Sequence, residues 1–251
     1  MREVEQKTVR AAIAPLLGDA RISAPLTSQL LAGDVLAVMD VQGDWLHVRG
    51  ADGYAGWTHM GYVMPTVGDE ATWRIALGCQ ARDRHGILTA LPLGARVVPG
   101  ADVVSGTALD AADRSTRFPP ENTAIAQSAA TLYVGASYLW GGVSPWGCDC
   151  SGFVQRIFAL HGRQLPRDAW QQALLGQHVS VDAAADHAPG DLLFFADRED
   201  RRITHVAIAL GGHRMVHSAL KRGGIAVESL LADDSYVARL RDQCVGVRRL
   251  E

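Results

Sequence analysis

Short runs of alternating apolar and polar residues, separated by glycine turns, dominate the first quarter of the chain. The clearest runs are residues 35–39, 45–48 and 54–58, with turn signals at Gly43-Asp44 and Asp52-Gly53. Such alternation is typical of half-buried strands, and the short turns favour antiparallel pairing. The pattern predicts a small β-barrel module over residues 1–65.

A second and less regular β pattern follows, with apolar segments at residues 73–77 and 95–98. Near residue 118 the segment Phe118-Pro119-Pro120-Glu121 interrupts it, because proline cannot continue a strand ladder or a helix interior. We therefore expect a second small β module over residues 66–117 and the main domain boundary at residue 118.

Beyond this boundary the apolar spacing first becomes helical. Residues 121–134 are predicted to form a helix that ends before Gly135, and a shorter helix is predicted to start near Asp168. Between them, helical spacing links Phe153, Val154, Ile157, Phe158 and Leu160, and Gly162 marks the end. Strands are predicted at residues 191–195, 203–210, 214–218 and 225–230. Helices followed by an antiparallel sheet predict an α+β domain over residues 118–251.

Composition narrows the class of protein. Of 251 residues, 48% are hydrophobic and 20% are charged, and no apolar run approaches the roughly 20 residues needed to cross a bilayer. The net charge of −3 provides no basic surface for nucleic acid. We expect a soluble monomer with neither nucleic acid nor membrane as a partner. The acidic start lacks an apolar segment, which favours a cytoplasmic location, or an extracytoplasmic one if the chain's start was trimmed.

The four cysteines, at positions 79, 148, 150 and 244, are too few for a disulfide scaffold. The Cys-x-Cys pair lacks the spacing of a paired zinc knuckle, so neither a metal nor an organic cofactor is expected. Two alternatives stay open. One is a zinc site formed by Cys148, Cys150 and histidines. The other is a disulfide or oxidative switch between the same two cysteines.

Cys150 stands where a turn becomes the predicted helix. A helix N-terminus favours a negative sulfur, which predicts a lowered thiol pKa and a nucleophile near neutral pH. A thiol that attacks a carbonyl also needs a base, usually histidine. His205 and His217 are the best candidates, because both lie within apolar strand segments where an unpaired imidazole is costly.

The two histidine segments flank Gly211-Gly212 and are predicted to form a hairpin. If only the two glycines form the loop, residue 206 faces 217 and the imidazoles point to opposite faces. If His213 joins the loop, residue 207 faces 217, and the two histidines share one face about 7–8 Å apart at the backbone. In that register one imidazole can act as base while the other orients it.

Several motifs in series carry a resemblance to a known family. They are Tyr138-Leu139-Trp140-Gly141-Gly142, Trp146-Gly147-Cys148-Asp149-Cys150-Ser151-Gly152-Phe153, Leu165-Pro166-Arg167-Asp168, Pro189-Gly190-Asp191-Leu192-Leu193-Phe194-Phe195, and the two histidine strands. In order and spacing, residues 120–251 resemble the NlpC family of papain-like cell-wall cysteine peptidases. The resemblance implies a papain-like catalytic domain with Cys150 as nucleophile, His205 as general base and His217 as orienting residue. The Cys150 N–H is then a candidate oxyanion donor.

The preceding β modules resemble bacterial SH3-like modules, and family members built this way resemble γ-D-glutamyl-L-diamino acid endopeptidases. The resemblance implies that Asp149, Ser151 and Tyr138 bind the free N-terminal L-alanine of a murein peptide, with Tyr54 of the first module assisting. Arg167 is a candidate to hold the α-carboxylate of D-glutamate. A blocked N-terminus would leave the Asp149 charge unpaired, so glycan-linked murein is expected to be rejected.

The sequence-based hypothesis is therefore a cysteine endopeptidase acting on murein-derived peptides through a Cys150 acyl-enzyme, in the recycling of wall fragments. Two alternatives remain. The same Cys/His arrangement serves other acyl-transfer chemistry on cell-wall peptides, such as an amidase. The second alternative belongs to another functional class: a non-catalytic protein that binds the cell wall through its SH3-like modules.

Overall fold

The computed structural model describes residues 5–66, 73–181, 187–197 and 200–251. The chain divides into two compact units between residues 117 and 118. Residues 1–4, which open the segment interpreted as lacking a secretory signal, lie outside the described residues. Among the residues described, no helix has both the length and the apolar character needed to span a membrane.

The first unit contains a seven-stranded antiparallel sheet. Its strands are β1 (Gln6–Val9), β2 (Ile13–Leu17), β3 (Leu26–Leu31), β4 (Val35–Gln42), β5 (Trp45–Arg49), β6 (Ala55–His59) and β7 (Val63–Pro65), with a 3₁₀ turn at Met60–Tyr62. The strand order is β3-β2-β6-β5-β4-β1-β7. The three strands predicted from residues 35–58 are confirmed, whereas β1, β2, β3 and β7 were not predicted.

The core of this sheet comes from alternate positions of several strands. Its buried residues are Val9, Ala14, Leu16, Leu30, Leu36, Leu46, Val48 and Val63. Alternation places every second side chain on the inner face, and burial of these aliphatic groups stabilises the barrel by about 1.5–3 kcal/mol for each large side chain.

A second sheet completes the first unit. Its elements are β8 (Arg74–Arg82), β9 (Leu88–Leu91), β10 (Arg96–Val97) and β11 (Asp102–Leu109), and the helix α1 (Ala111–Arg117) follows. Strand β8 pairs with β9, β10 and β11. The Arg96 N–H donates to the Ala32 carbonyl at 2.7 Å, which ties this sheet to the turn after β3.

The second unit combines helices with a six-stranded sheet. Its helices are α2 (Asn122–Thr131), α3 (Cys150–Leu160), α4 (Ala169–Gln172) and α5 (Ser235–Gln243). Its strands are β12 (Val143–Ser144), β13 (Gly147–Cys148), β14 (Gln177–Val179), β15 (Leu192–Phe195), β16 (His205–Gly211), β17 (Arg214–Ala219), β18 (Gly224–Ser229) and β19 (Cys244–Arg249), with a 3₁₀ turn at Leu220–Arg222. The large sheet has the order β14-β19-β15-β16-β17-β18, and all its pairs are antiparallel.

The α+β prediction for this part of the chain is confirmed, and so are the helices and strands that carry the candidate site. The sequence pattern missed α5, β12, β13, β14 and β19. The C-terminal strand β19 lies inside the sheet, between β14 and β15. One sheet face and α5 share a core made of Leu193, Phe195, Ala207, Ala209, Met215, Leu230, Leu240 and Val247. The helices α2 and α3 pack against β16.

Candidate active site

The helix α3 begins at Cys150 because Asp149 caps it. The Asp149 backbone is extended (φ −91°, ψ 179°), and its Oδ1 accepts a hydrogen bond from the Gly152 N–H at 2.8 Å. Asp149 Oδ2 accepts another from the Gly141 N–H at 2.8 Å, so one carboxylate joins the preceding loop to the first turn of the helix. Cys150 is thereby held at the position where unpaired N–H groups and the helix dipole act.

Close backbone approach explains why glycine occupies the first turn of α3. A Cβ atom on Gly152 would lie 2.2 Å from the Gly142 carbonyl oxygen, a separation that no real contact allows. A Cβ on Gly142 would meet the Gly147 carbonyl oxygen at 2.4 Å. The Gly-Gly loop and the helix start can therefore pack this tightly only without side chains.

Asp149 forms a buried ion pair with Arg167. The two terminal guanidinium nitrogens donate to the two carboxylate oxygens at 3.1 Å and 2.6 Å, and Nη1 also donates to Ser151 Oγ at 2.9 Å. The Arg167 side chain is only 2% exposed. The bidentate geometry makes this a strong charge-assisted contact. The role of Arg167 in holding a substrate carboxylate stays a prediction, and in the substrate-free structure its guanidinium binds Asp149 and Ser151.

The β16–β17 hairpin places His205 and His217 side by side. His205 Nε2 lies 2.8 Å from His217 Nδ1, and the ring centroids are 5.0 Å apart. Ile208 pairs with Val216 and Ala209 with Met215, so the register is the one in which the two histidines share a face.

The hairpin reaches this register by a different route from the predicted three-residue loop. Its turn consists of Gly212 and His213, with φ values of 59° at both positions, and a bulge separates the Ala209 and Gly211 pairs. The extra residue in the bulge shifts the pairing of the two strands by one position, as a third loop residue would. The His205 and His217 side chains therefore point to the same face of the sheet.

The Cys150 thiol is buried beside the first residues of β16. The backbone N–H of Val206, the residue after His205, favours the charged form of the sulfur. Burial raises the pKa of Cys150 to about 12, and the Asp149 charge adds to that rise, against the opposing effects of the Val206 N–H, Arg167 and the Ser151 N–H. The expected lowering of the thiol pKa is thus wrong for the substrate-free site. The cost of desolvating a thiolate exceeds the stabilisation by the helix start.

The pKa of the His205 imidazole is shifted in the opposite direction to that of the Cys150 thiol. Burial lowers the pKa of His205 well below its usual range, and the neighbouring His217 adds to this. Burial thus disfavours the charged form of both the Cys150 thiol and the His205 imidazole. These directions favour proton transfer from the thiol to the imidazole during the attack of the sulfur, which is general-base catalysis.

Tyr138 and Cys148 line the approach to α3. The two residues form an isolated parallel bridge, and burial raises the pKa of the Tyr138 hydroxyl, with the Asp149 charge adding to the effect. Cys148 and Cys150 are both free thiols, so the structure contains no disulfide between them. No group of three His, Cys, Asp or Glu side chains suited to a metal ion occurs in the described part of the chain.

Tyr54 lies in the first unit, where it packs against the barrel core while remaining partly exposed. The other seven candidate residues lie in the second unit. They come from the loop before α3, the start of α3, the segment before α4, and the β16–β17 hairpin.

Sequence reasoning missed two residues near the site. Gln172 is fully buried, and its amide donates to the carbonyl of Ser151 at 3.1 Å, which braces the first turn of α3. Glu228 lies 3.9 Å from His217 Nε2. The sequence feature that could have identified Glu228 is an acidic residue at the end of the apolar run Gly224-Ile225-Ala226-Val227.

Comparison with known proteins agrees with this geometry. The NlpC/P60 family model matches residues 135–241, and the model described as a bacterial dipeptidyl-peptidase Sh3 domain matches residues 16–60. A γ-D-glutamyl-L-lysine dipeptidyl-peptidase of Bacillus subtilis is 32% identical over 262 residues, covering 89% of this chain and 81% of that protein. A protein of the same name from Bacillus cereus is 28% identical and covers 77% of this chain and 67% of its own length.

The solved structures point to the same fold. The crystal structure of an NlpC/P60 family protein from Bacillus cereus covers 97% of this chain and 99% of its own, with a TM-score of 0.79 at 20% identity. The predicted fold class, a papain-like α+β domain preceded by SH3-like β modules, is confirmed. One relative is 32% identical over 89% of this chain, and the matched domain contains the cysteine and the two histidines of the site. The chain therefore belongs to the NlpC/P60 family of cysteine peptidases.

Proposed function

We propose that this peptidase cleaves the bond between D-glutamate and the diamino acid in short murein peptides that carry a free N-terminal L-alanine. The names of the full-length relatives support this substrate class. The observation that carries the proposal is the 2.8 Å contact between His205 and His217 beside a cysteine at a capped helix start.

The reaction follows from these positions. The Cys150 thiol transfers its proton to His205 as the sulfur attacks the γ-carbonyl of D-glutamate. The oxyanion forms near the Cys150 N–H at the start of α3, where the helix dipole stabilises it. The protonated His205 then gives its proton to the leaving amine. Water, deprotonated by His205, attacks the thioester, and His205 returns that proton to the departing Cys150 sulfur as L-Ala-γ-D-Glu is released.

Recognition of the substrate's N-terminus is assigned to Tyr138, Ser151 and Asp149, with Tyr54 as the contribution of the first unit. Asp149 already accepts from two backbone N–H groups, from Ser151 and from Arg167. A carboxylate has about four lone-pair positions, so a substrate ammonium has to share an oxygen with one of these donors. Arg167 therefore supports the ammonium site indirectly by holding Asp149.

Incubation with L-Ala-γ-D-Glu-L-Lys and L-Ala-γ-D-Glu-diaminopimelate tests the proposal. Mass spectrometry of the products is expected to find L-Ala-γ-D-Glu and the free diamino acid. Release of free L-alanine alone would contradict the proposal, because it requires cleavage of the L-Ala–D-Glu bond instead. The Cys150→Ala variant is expected to lose at least about 10⁴-fold in kcat. Wall binding without hydrolysis by the unmodified protein would favour the non-catalytic alternative.

The free N-terminus is the proposed determinant of selectivity. N-acetylation of the tripeptide removes the ammonium and is expected to lower kcat/KM by at least about tenfold, the size of a lost charge-assisted hydrogen bond. Equal kcat/KM values for the free and acetylated peptides would contradict this. A preference for free peptides suits the recycling of imported wall fragments in the cytoplasm, the location that we propose.

A further inference from the structure

His217 presents one ring nitrogen to His205 and leaves the other facing a carboxylate. The residue is fully buried, and its Nε2 has no hydrogen-bond partner. Glu228 Oε1 lies 3.9 Å from that nitrogen, and the Glu228 side chain is only 11% exposed. A separation of 3.9 Å is beyond a hydrogen bond but within the range of a close ionic contact.

The sheet register explains this approach. His217 pairs with Ala226, so Glu228 lies two residues further along β18 on the same face. His205, His217 and Glu228 thus form a diagonal row across β16, β17 and β18. The groups facing His217 are His205 from β16, Glu228 from β18 and the Tyr236 ring from α5, which is 6.2 Å away.

The direction of the hydrogen bond between the two histidines decides whether the site can work. If His205 Nε2–H donates to His217 Nδ1, then His205 Nδ1 is free to accept a proton, and His217 carries its own proton on Nε2. If His217 Nδ1–H donates instead, His205 is protonated on Nδ1 and cannot act as base through that nitrogen. His217 then presents a lone pair to Glu228, which is repulsive.

We infer that Glu228 is a positioning residue that selects the working tautomers: its carboxylate holds the His217 proton on Nε2, and His217 in turn holds the His205 proton on Nε2. This inference rests on the proposed cysteine–histidine function and adds a fourth residue to it. During the reaction one proton moves from Cys150 Sγ to His205 Nδ1. The protons on Nε2 of both histidines stay in place.

Arg222 keeps the carboxylate where this role needs it. Arg222 Nε donates to Glu228 Oε1 at 2.6 Å, and its Nη2 lies 3.1 Å from Asp234 Oδ1. The guanidinium also lies over the Tyr236 ring, 4.9 Å from its centroid. The contacts with His217 and Arg222 lower the pKa of Glu228, so it is ionised throughout the neutral range and is an acceptor only.

The first test needs neither substrate nor substitution. Long-range ¹H–¹⁵N NMR of the free protein at neutral pH distinguishes histidine tautomers. We expect both His205 and His217 to carry their protons on Nε2. A proton on His217 Nδ1 in the unmodified protein would overturn the inference, whatever peptide the enzyme cleaves.

Substitutions then test the link to catalysis. Glu228→Met keeps the volume but cannot accept a hydrogen bond, and we expect kcat to fall about 10- to 100-fold with KM changed by less than about twofold. Glu228→Gln keeps an acceptor oxygen and is expected to recover part of this loss. Alkylation of Cys150 by iodoacetamide needs no peptide. We expect its rate to decrease in the same order, from the unmodified protein to Glu228→Gln and then to Glu228→Met.

The matched control is Asp234→Asn, which removes a charge from Arg222 but keeps a good N-cap for α5. Its kcat is expected to remain within about twofold of the unmodified value. Equal losses in Glu228→Met and Glu228→Gln, or no loss in either, would overturn the positioning role. Failure of the unmodified protein to cleave the tripeptide, with the expected tautomers present, would refute the proposed substrate and leave this inference standing.

Discussion

At the residue scale, the Asp149 carboxylate is shared between the start of α3 and Arg167. Charges buried as a pair are costly to separate, since removal of one partner leaves the other unpaired in a site of low dielectric. The two residues are 18 positions apart, and the sequence-based interpretation assigned both to substrate. Their mutual pairing was not predictable from the sequence, because it depends on how the segment before α4 packs against α3.

This pairing predicts a large loss of stability in Arg167→Ala. We expect the free energy of unfolding in urea to fall by about 3–5 kcal/mol, because Asp149 would remain buried without its cation. Arg239→Ala is the control, since Arg239 is exposed on α5 in the same unit, and its expected change is within about 0.5 kcal/mol. Similar changes in the two variants would contradict the buried ion pair.

The depressed pKa of His205 predicts a pH-dependent stability. Its pKa in the folded protein lies below the unfolded value of about 6.5, so below that pH the unfolded chain binds more protons at this residue. The free energy of unfolding should therefore fall relative to that of His205→Gln as pH decreases from 7 to 5, by at most about 1.4 kcal/mol per pH unit. A difference between the two proteins that stays constant over this range in urea titrations would refute the shift.

At the element scale, the helix α3 was predictable from its apolar spacing, and its start from the Asp-Cys-Ser-Gly sequence. The need for glycine at position 152 was not predictable, because it arises from the close approach of the Gly142 carbonyl, which belongs to a different segment. Local propensity alone would favour alanine over glycine in a helix.

Gly152→Ala should accordingly destabilise the protein despite the better helix propensity of alanine. We expect a loss of about 1–3 kcal/mol in urea unfolding and a fall in kcat, because the new Cβ forces the Gly142 loop or the Cys150 turn to move. Gly246→Ala on β19 is the matched control. The nearest atom to its added Cβ is 4.0 Å away, so little change is expected. Gly152→Ala with unaltered stability and kcat would argue against the tight packing.

At the scale of the whole molecule, the chain consists of two units, each with its own buried residues. The second unit holds Cys150, the proposed nucleophile, together with both histidines and Glu228. We propose that the first unit contributes to substrate selection, with Tyr54 as its candidate contact. Deletion of the first unit then tests the share of selectivity that it adds to that of Tyr138, Asp149 and Ser151 in the second unit.

A chain of residues 118–251 is therefore expected to fold and to retain alkylation of Cys150 by iodoacetamide. Its ratio of kcat/KM for the free and acetylated tripeptides should move toward one, whereas Tyr54→Ala in the full chain should raise KM with less effect on kcat. Circular dichroism of the shortened chain provides the folding control. An unchanged ratio in a folded shortened chain would assign all selectivity to the second unit.

The order of residues determined three strands of the first sheet (β4, β5 and β6), the helix that starts at Cys150 and the pair of histidine strands. These depend on spacing within one element or across one turn, which the chain itself carries. Tertiary structure alone decided that burial raises the pKa of the Cys150 thiol, that Arg167 pairs with Asp149, and that Glu228 faces His217. These outcomes depend on burial and on side chains that different elements bring together, and a linear pattern does not encode desolvation or distance.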